Sequence, residues 1–142
     1  MNNEACHVLK RFIEEAFNTG NVRILPEVIA PDHVSHLPTG DVYGPEGVRI
    51  EITGFRSGFP DLLITLIEII PCNEYVVYLF TARGTHLGPF LGIPPTGHRV
   101  QVEGIGLDRF QSGKVIERWV QYDSFGLLQQ LGVLPGFSRC CS

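Results

Sequence analysis

The turn Phe59-Pro60-Asp61 divides this chain into two regimes of hydrophobic spacing, and that division constrains the fold more than any other feature. Ahead of it apolar residues recur about every 3.6 positions, as on a helix; behind it they recur about every 2, as on a strand. From Ala5, residues Val8, Leu9, Phe12, Ile13, Ala16 and Phe17 form one apolar face, with Lys10, Arg11, Glu14 and Glu15 on the other. Asn18-Thr19-Gly20-Asn21 stops this helix, Gly20 suiting the left-handed position after it. A short helix from Val22 to Ile29 follows, ended by Pro31. Asp32 to Tyr43, with two histidines, Pro38 and Gly40, reads as irregular strand and loop. Gly44-Pro45-Glu46-Gly47 then opens a third helix with Val48, Ile52, Phe55 and Phe59 on one face.

Behind the turn, Leu62 to Ile70, Tyr75 to Thr85, Arg99 to Phe110 and Val115 to Tyr122 are rich in β-branched and aromatic residues or alternate, and read as four strands of an antiparallel meander. Their breaks are Pro71-Cys72-Asn73, a Gly/Pro-rich loop from Leu87 to Gly97, and Gln111-Ser112-Gly113-Lys114, a hairpin turn with Gly113 where φ must be positive. A last helix starts near Ser124-Phe125. Helices first and then a curved sheet make an α+β fold with the helices on one face.

With 142 residues, 44% hydrophobic and 18% charged, the chain has material for one core. We expect one domain over 1–142, with a core at about 5–135 and a tail at 136–142. A net charge of −4, with 11 basic residues in no run, offers no footprint for a phosphate backbone, so no nucleic acid partner is expected. The charged first helix does not fit a secretion signal, and no apolar run approaches the roughly 20 residues of a membrane span. The expected location is cytoplasmic, with Cys6, Cys72, Cys140 and Cys141 reduced; they show no metal spacing, and Cys140-Cys141 falls in the tail.

Asp123 is the leading candidate for chemistry. It ends a strand whose residues of the same parity are Glu117, Trp119 and Gln121, so if Trp119 faces a cavity, Gln121 and Asp123 face it too. Desolvation there would raise its pKa into a range useful for proton transfer. The residue is equally placed to cap the last helix. His86, sharing parity with Tyr78, Phe80 and Gly84, is either a polar pocket group or an anchor for the glycine-rich loop. Trp119, Phe17, Phe55, Phe59 and Tyr78 are pocket walls or plain core. His33 and His36 lie three apart, but no further ligand is spaced to complete a metal site, so no metal is expected. His7, His33 and His98 are expected at the surface. Phe90, Leu91 and Ile93 in the apolar loop must be buried somewhere, at a pocket rim or against a partner.

The order of these elements, with Phe59-Pro60-Asp61, the Gly84-to-Gly97 loop, Gly113-Lys114-Val115-Ile116-Glu117-Arg118-Trp119, Asp123 and Gln129-Gln130-Leu131-Gly132, resembles the SnoaL-like polyketide cyclase (ester cyclase) family over roughly residues 5–135. That family sits within the superfamily of nuclear transport factor two, ketosteroid isomerase, scytalone dehydratase and limonene epoxide hydrolase. The resemblance implies a cone-shaped, curved antiparallel sheet wrapped around N-terminal helices enclosing a pocket, and homodimers through the outer sheet face. It also implies an intramolecular aldol ring closure without metal or organic cofactor. Asp123 would then be the catalytic acid/base, with His86, Gln121 and His36, the last at the pocket mouth, as polar groups around it.

Relative to an epoxide hydrolase relay, strand parity does not bring Arg83, Asp108 and Arg109 together with Asp123. For a ketosteroid isomerase-like oxyanion hole, Tyr78 is the only stand-in. The reading is therefore a cofactor-independent lyase or isomerase acting on a small, mostly apolar carbonyl compound. The alternatives are a non-catalytic protein that binds a hydrophobic small molecule, and an epoxide hydrolase-like enzyme.

Overall fold

The computed structural model describes residues 2–134, so the tail at 136–142, with Cys140 and Cys141, lies outside the described residues. Helix α1 (Asn2–Arg11) runs into a widened π-helical segment (Phe12–Phe17), in which the Asn18 N–H donates to Ile13 O five residues back. Phe12, Ile13, Ala16 and Phe17 are all buried by it. Gly20, at φ +79°, ends the run as its position requires. The expected second helix is a 3₁₀ turn (Val22–Ile24) continuing into α2 (Leu25–Val28), where Pro26 occupies the first turn. It stops before Pro31 is reached, because the backbone turns extended at Ile29.

The segment read as irregular strand and loop is a hairpin of β1 (Ile29–Leu37) and β2 (Gly40–Tyr43). Helix α3 (Gly44–Gly58) begins with Pro45 in its first turn and buries Val48 and Ile52. Then come β3 (Leu63–Cys72), β4 (Tyr75–Thr85), β5 (Arg99–Gln111) and β6 (Lys114–Tyr122), and α4 (Ser124–Gln130) closes the described chain. The expected meander is present as β3-β4-β5-β6. The complete sheet has six strands in the order β2-β1-β6-β5-β4-β3, and β1 joins β6 in parallel, so the sheet is not antiparallel throughout. Pro31 is tolerated inside β1 because it falls in the irregular stretch between Ile29 and Val34, where the register with β6 shifts.

The inner face of the curved sheet packs on the helices. Alternate residues Val76, Tyr78 and Phe80 of β4 and Val100, Val102, Asp108 and Phe110 of β5 are buried there. Tyr78 and Phe80 lie across Gly106 and Gly104, their register partners, and a Cβ on either glycine would come within 2.2 Å of the facing ring. At the open end of the sheet, the Asn18 side chain accepts from the Ile64 N–H at 2.8 Å and donates to Ile64 O at 2.9 Å. In the glycine-rich loop, Phe90 is buried against Phe55, Phe59 and Gly58 and Ile93 is half-buried, whereas Leu91 is exposed.

Candidate active site

Which face of β6 looks inward decides what chemistry the fold can do. Counting by twos from buried Val115 gives Glu117, Trp119, Gln121 and Asp123, but the strand does not keep that phase. Arg109 pairs with Glu117 and Phe110 with Val115, so Ile116 is an extra residue, a β-bulge that shifts the alternation by one. Beyond it Arg118, Val120 and Tyr122 point inward, and Trp119 and Gln121 are exposed on the outer face.

Between sheet and helices lies a cavity of about 90 Å³. Its wall is almost wholly apolar, with Ile13, Phe17, Phe55, Phe59, Phe80 and Val102 among the lining residues, and its polar groups include Glu51, Tyr78, Arg118 and Tyr122. Glu51 comes from α3, where it lies between Val48 and Phe55 at helical spacing and so shares their face. Arg118 Nη1 donates to Glu51 Oε1 at 3.0 Å and Nη2 reaches Oε2 at 3.4 Å, a two-pronged pair with side chains 3% and 5% exposed. The guanidinium also stacks over the Phe12 ring at 5.0 Å.

Behind the lining is a second carboxylate. Asp108 is 0% exposed; its Oδ1 accepts from the Tyr78 hydroxyl at 3.0 Å and lies 4.0 Å from Arg118 Nε. Burial pushes its pKa up to about 7, against the opposing pull of Arg118 and the Tyr78 hydrogen bond. Burial and then Asp108 raise Tyr78 well above the usual phenol range. For Arg118 burial opposes the charge, but Glu51, Tyr78 and Asp108 outweigh it and raise the pKa. Burial and then Glu51 also raise Tyr122. On the far side of Arg118, Nη1 donates to Ser35 Oγ at 2.9 Å, and Ser35 lies 2.6 Å from His33 Nε2. Burial and Arg118 lower the His33 pKa to about 4.

These positions revise the sequence reading. Asp123 is exposed and is not among the cavity-lining residues; its Oδ1 accepts from the Gly126 N–H at 2.9 Å as the cap of α4, the other role open to it. His86 is wholly buried but also off the lining. The Thr96 N–H donates to its Nδ1 at 3.1 Å, and the ring packs on Phe59 at 5.4 Å, so it anchors the glycine-rich loop. The two β1 histidines are exchanged. His33, expected at the surface, is 1% exposed and faces inward.

His36, expected at the pocket mouth, is on the outer face, bonded to Glu117 at 2.7 Å and Asp41 at 3.0 Å and stacked on Trp119. Those two carboxylates, Glu117 foremost, raise its pKa. Pointing to opposite sides of one strand, His33 and His36 do not share a metal. Trp119 and Gln121 line nothing inside, whereas Phe17, Phe55, Phe59 and Tyr78 do line the cavity. Of the inward polar residues, the sequence reading gave Glu51, Arg118 and Ser35 no role in the site, weighed Asp108 only for a relay with Asp123, and placed His33 at the surface.

Comparison with known proteins agrees with the fold. The SnoaL-like polyketide cyclase family profile matches residues 7–131. The chain is 30% identical over 131 residues to aklanonic acid methyl ester cyclase DnrD of Streptomyces peucetius, covering 87% of this chain and 88% of that protein. It is 30% identical over 120 residues to nogalonic acid methyl ester cyclase of Streptomyces nogalater, covering 82% and 90%. Among solved structures, TsrD from Streptomyces laurentii superposes with a TM-score of 0.86 at 30% identity, over 94% of this chain and 98% of that one.

Proposed function

Since the chain belongs to the SnoaL-like polyketide cyclase family, we propose that it is a cofactor-independent acid/base enzyme that closes a ring in a small, mostly apolar carbonyl compound. In this reading Tyr78 exchanges the proton with the substrate. One observation carries it: a phenol on the wall of an apolar cavity donates to a buried carboxylate whose pKa is close to neutral.

The proton balance is simple. Tyr78 Oη takes a proton from the carbon next to the substrate carbonyl while its own proton passes to ionised Asp108 Oδ1. The resulting enolate carbon attacks a second carbonyl carbon of the same molecule, forming the C–C bond and leaving an alkoxide. That oxygen takes a proton from Tyr78, which is re-protonated by Asp108. Arg118, kept in place by Glu51, supplies N–H donors and positive charge where the enolate oxygen develops. A base near neutrality can hold and release the proton at ordinary pH, and such positioned transfer contributes roughly two to four orders of magnitude. The rest comes from folding the substrate so that its ends meet. The cavity is smaller than the roughly 150 Å³ that accepts benzene, so a ring-bearing guest must displace side chains such as half-buried Phe55.

The test offers aklanonic acid methyl ester and nogalonic acid methyl ester to the protein and follows the isomeric product by chromatography and mass spectrometry. Turnover that falls at least about a hundredfold in Tyr78→Phe, with the protein still folded, is expected. Full turnover in that variant refutes the role of Tyr78. Carboxylates on either side of a guanidinium, Asp108 and Glu51 about Arg118, also favour an epoxide hydrolase-like second reading, recognised by a product that has gained water. Retention of a ligand without turnover would instead mark a binding protein.

The reading extends to assembly and location. Ile70, Leu79, Ile105 and Trp119 are exposed large apolar residues on the strands of the sheet, which supports self-association through its outer face as a homodimer. A cytoplasmic setting belongs to the same reading, in which Cys6 and Cys72, free among the described residues, are reduced thiols. Among the described residues no helix is long and apolar enough to cross a membrane.

A further inference from the structure

Among the described residues, Asp108 Oδ2 and Arg118 Nε are buried without hydrogen-bond partners, although Nε is only 4.0 Å from Asp108 Oδ1. That distance is too long for a hydrogen bond, and closing it would gain a charge-assisted one. The restraint is found on the other side of the guanidinium. Glu51 grips one edge through Nη1 and Nη2, and a planar group held at one edge can still pivot. Ser35 Oγ takes the second Nη1 hydrogen at 2.9 Å and fixes the other direction.

Ser35 is itself locked. His33 Nδ1 lies 3.0 Å from Val115 O, a carbonyl that can only accept, so Nδ1 carries the ring proton and Nε2 is an acceptor. The Ser35 hydroxyl therefore donates to Nε2 at 2.6 Å, and its lone pairs are left for Arg118. Ser35 is 0% and His33 1% exposed, so solvent does not compete for these bonds.

We propose that Ser35 and His33 are positioning residues that hold the Arg118 guanidinium back from Asp108, leaving that carboxylate free to take the proton from Tyr78. The catalytic meaning rests on the ring-closure reading above, but the restraint itself is testable without substrate. Asp108 on β5 is faced by Tyr78 from β4, Arg118 from β6 and Glu51 from α3; His33 and Ser35 on β1 act on it through Arg118. Without the Ser35 hydroxyl, Arg118 closes on Asp108 and favours its ionised form.

The experiment is a ¹³C NMR titration of the Asp108 carboxyl carbon, assigned by its loss in Asp108→Asn. It compares the unaltered protein with Ser35→Ala and Ser35→Thr. Ser35→Ala is expected to lower the proton affinity of Asp108 by about tenfold or more, and Ser35→Thr, which keeps the hydroxyl, to preserve it. Should Ser35→Ala not fold, His33→Leu, which leaves the serine proton undirected, is expected to move the midpoint the same way. An unchanged midpoint in a folded Ser35→Ala or His33→Leu protein overturns the proposal. A lowered midpoint in a protein that turns over no carbonyl compound supports the positioning and counts against the reaction.

Discussion

Asp108→Asn isolates a buried carboxylate that works against the folded state as pH rises. The pKa of Asp108 goes from 3.8 to about 7 on folding, so between these values the folded protein keeps a proton that the unfolded chain has lost. Its contribution to stability is complete below the lower value and is lost as pH climbs through the upper one. About three pH units at 1.36 kcal/mol each give an upper figure of about 4 kcal/mol. His33 has the opposite sense. Its pKa falls from 6.5 to about 4, so the unfolded chain binds the extra proton and stability rises with pH across that window, by about 3 kcal/mol at most.

In the unaltered protein the two slopes largely cancel; in Asp108→Asn only the rising one remains. Glu46, Asp61 and Glu117, whose pKa values are lowered by Arg49, Thr85 and His36 respectively, are present in both proteins and drop out of the difference. Urea unfolding followed by the fluorescence of the single tryptophan, Trp119, at intervals from about pH 4 to about pH 8 reads that difference. The stability of the variant relative to the unaltered protein is expected to grow by up to about 4 kcal/mol over the range. A difference that stays constant to within about 0.5 kcal/mol refutes the assignment of Asp108 as a carboxyl group whose pKa burial raises toward neutrality.

Three other perturbations test other parts of the structure. Asp123→Ala removes the α4 cap and is expected to cost about 1 kcal/mol in denaturant unfolding while leaving kcat and KM unchanged; a loss of kcat would return Asp123 to the chemistry. Gly106→Ala puts a Cβ 2.2 Å from Tyr78 Cζ, so an overpacking cost of about 1–3 kcal/mol and a larger fractional loss of kcat than of stability are expected; unaltered kcat would mean that Tyr78 need not stay where it is. Trp119→Glu places a charge on the outer sheet face, and light scattering after size exclusion is expected to show half the mass of the unaltered protein; an unchanged mass removes that face from the interface.

The arrangement of elements was legible because period and turn chemistry agree along most of the chain. The switch at Phe59-Pro60-Asp61 marks the last helix before the meander, and Ser112-Gly113 forms the turn its residues suit, both at positive φ. The site was less legible, and the cause is local. One extra residue at Ile116 exchanges the faces of β6, and nothing in Val115-Ile116-Glu117 announces a bulge. Once Trp119 was placed inside, Gln121 and Asp123 followed it, and Arg118, of opposite parity, fell on the other face. Inside, Glu51 and Ser35 accept hydrogen bonds from its guanidinium.

Two signals were nevertheless in plain view. Asp108 shares parity with Val100, Val102 and Phe110, and Glu51 lies on the same helical stripe as Val48 and Phe55. A carboxylate interrupting an apolar stripe at the correct spacing is the mark of a buried acid. The histidines of β1 were assigned to the wrong sides for a similar reason, since the irregular register from Ile29 to Val34 hides the phase.

An open sheet ends in a row of backbone groups that another polypeptide could copy, and at β3 a single amide stands in that row. Asn18 answers both the donor and the acceptor of Ile64, as a neighbouring strand would, and it does so between Leu63 and Leu66, where a stray chain would find grease to cling to. Asn18, just before the run stops at Gly20, thus occupies at Ile64 the pairing groups that an incoming strand would otherwise use.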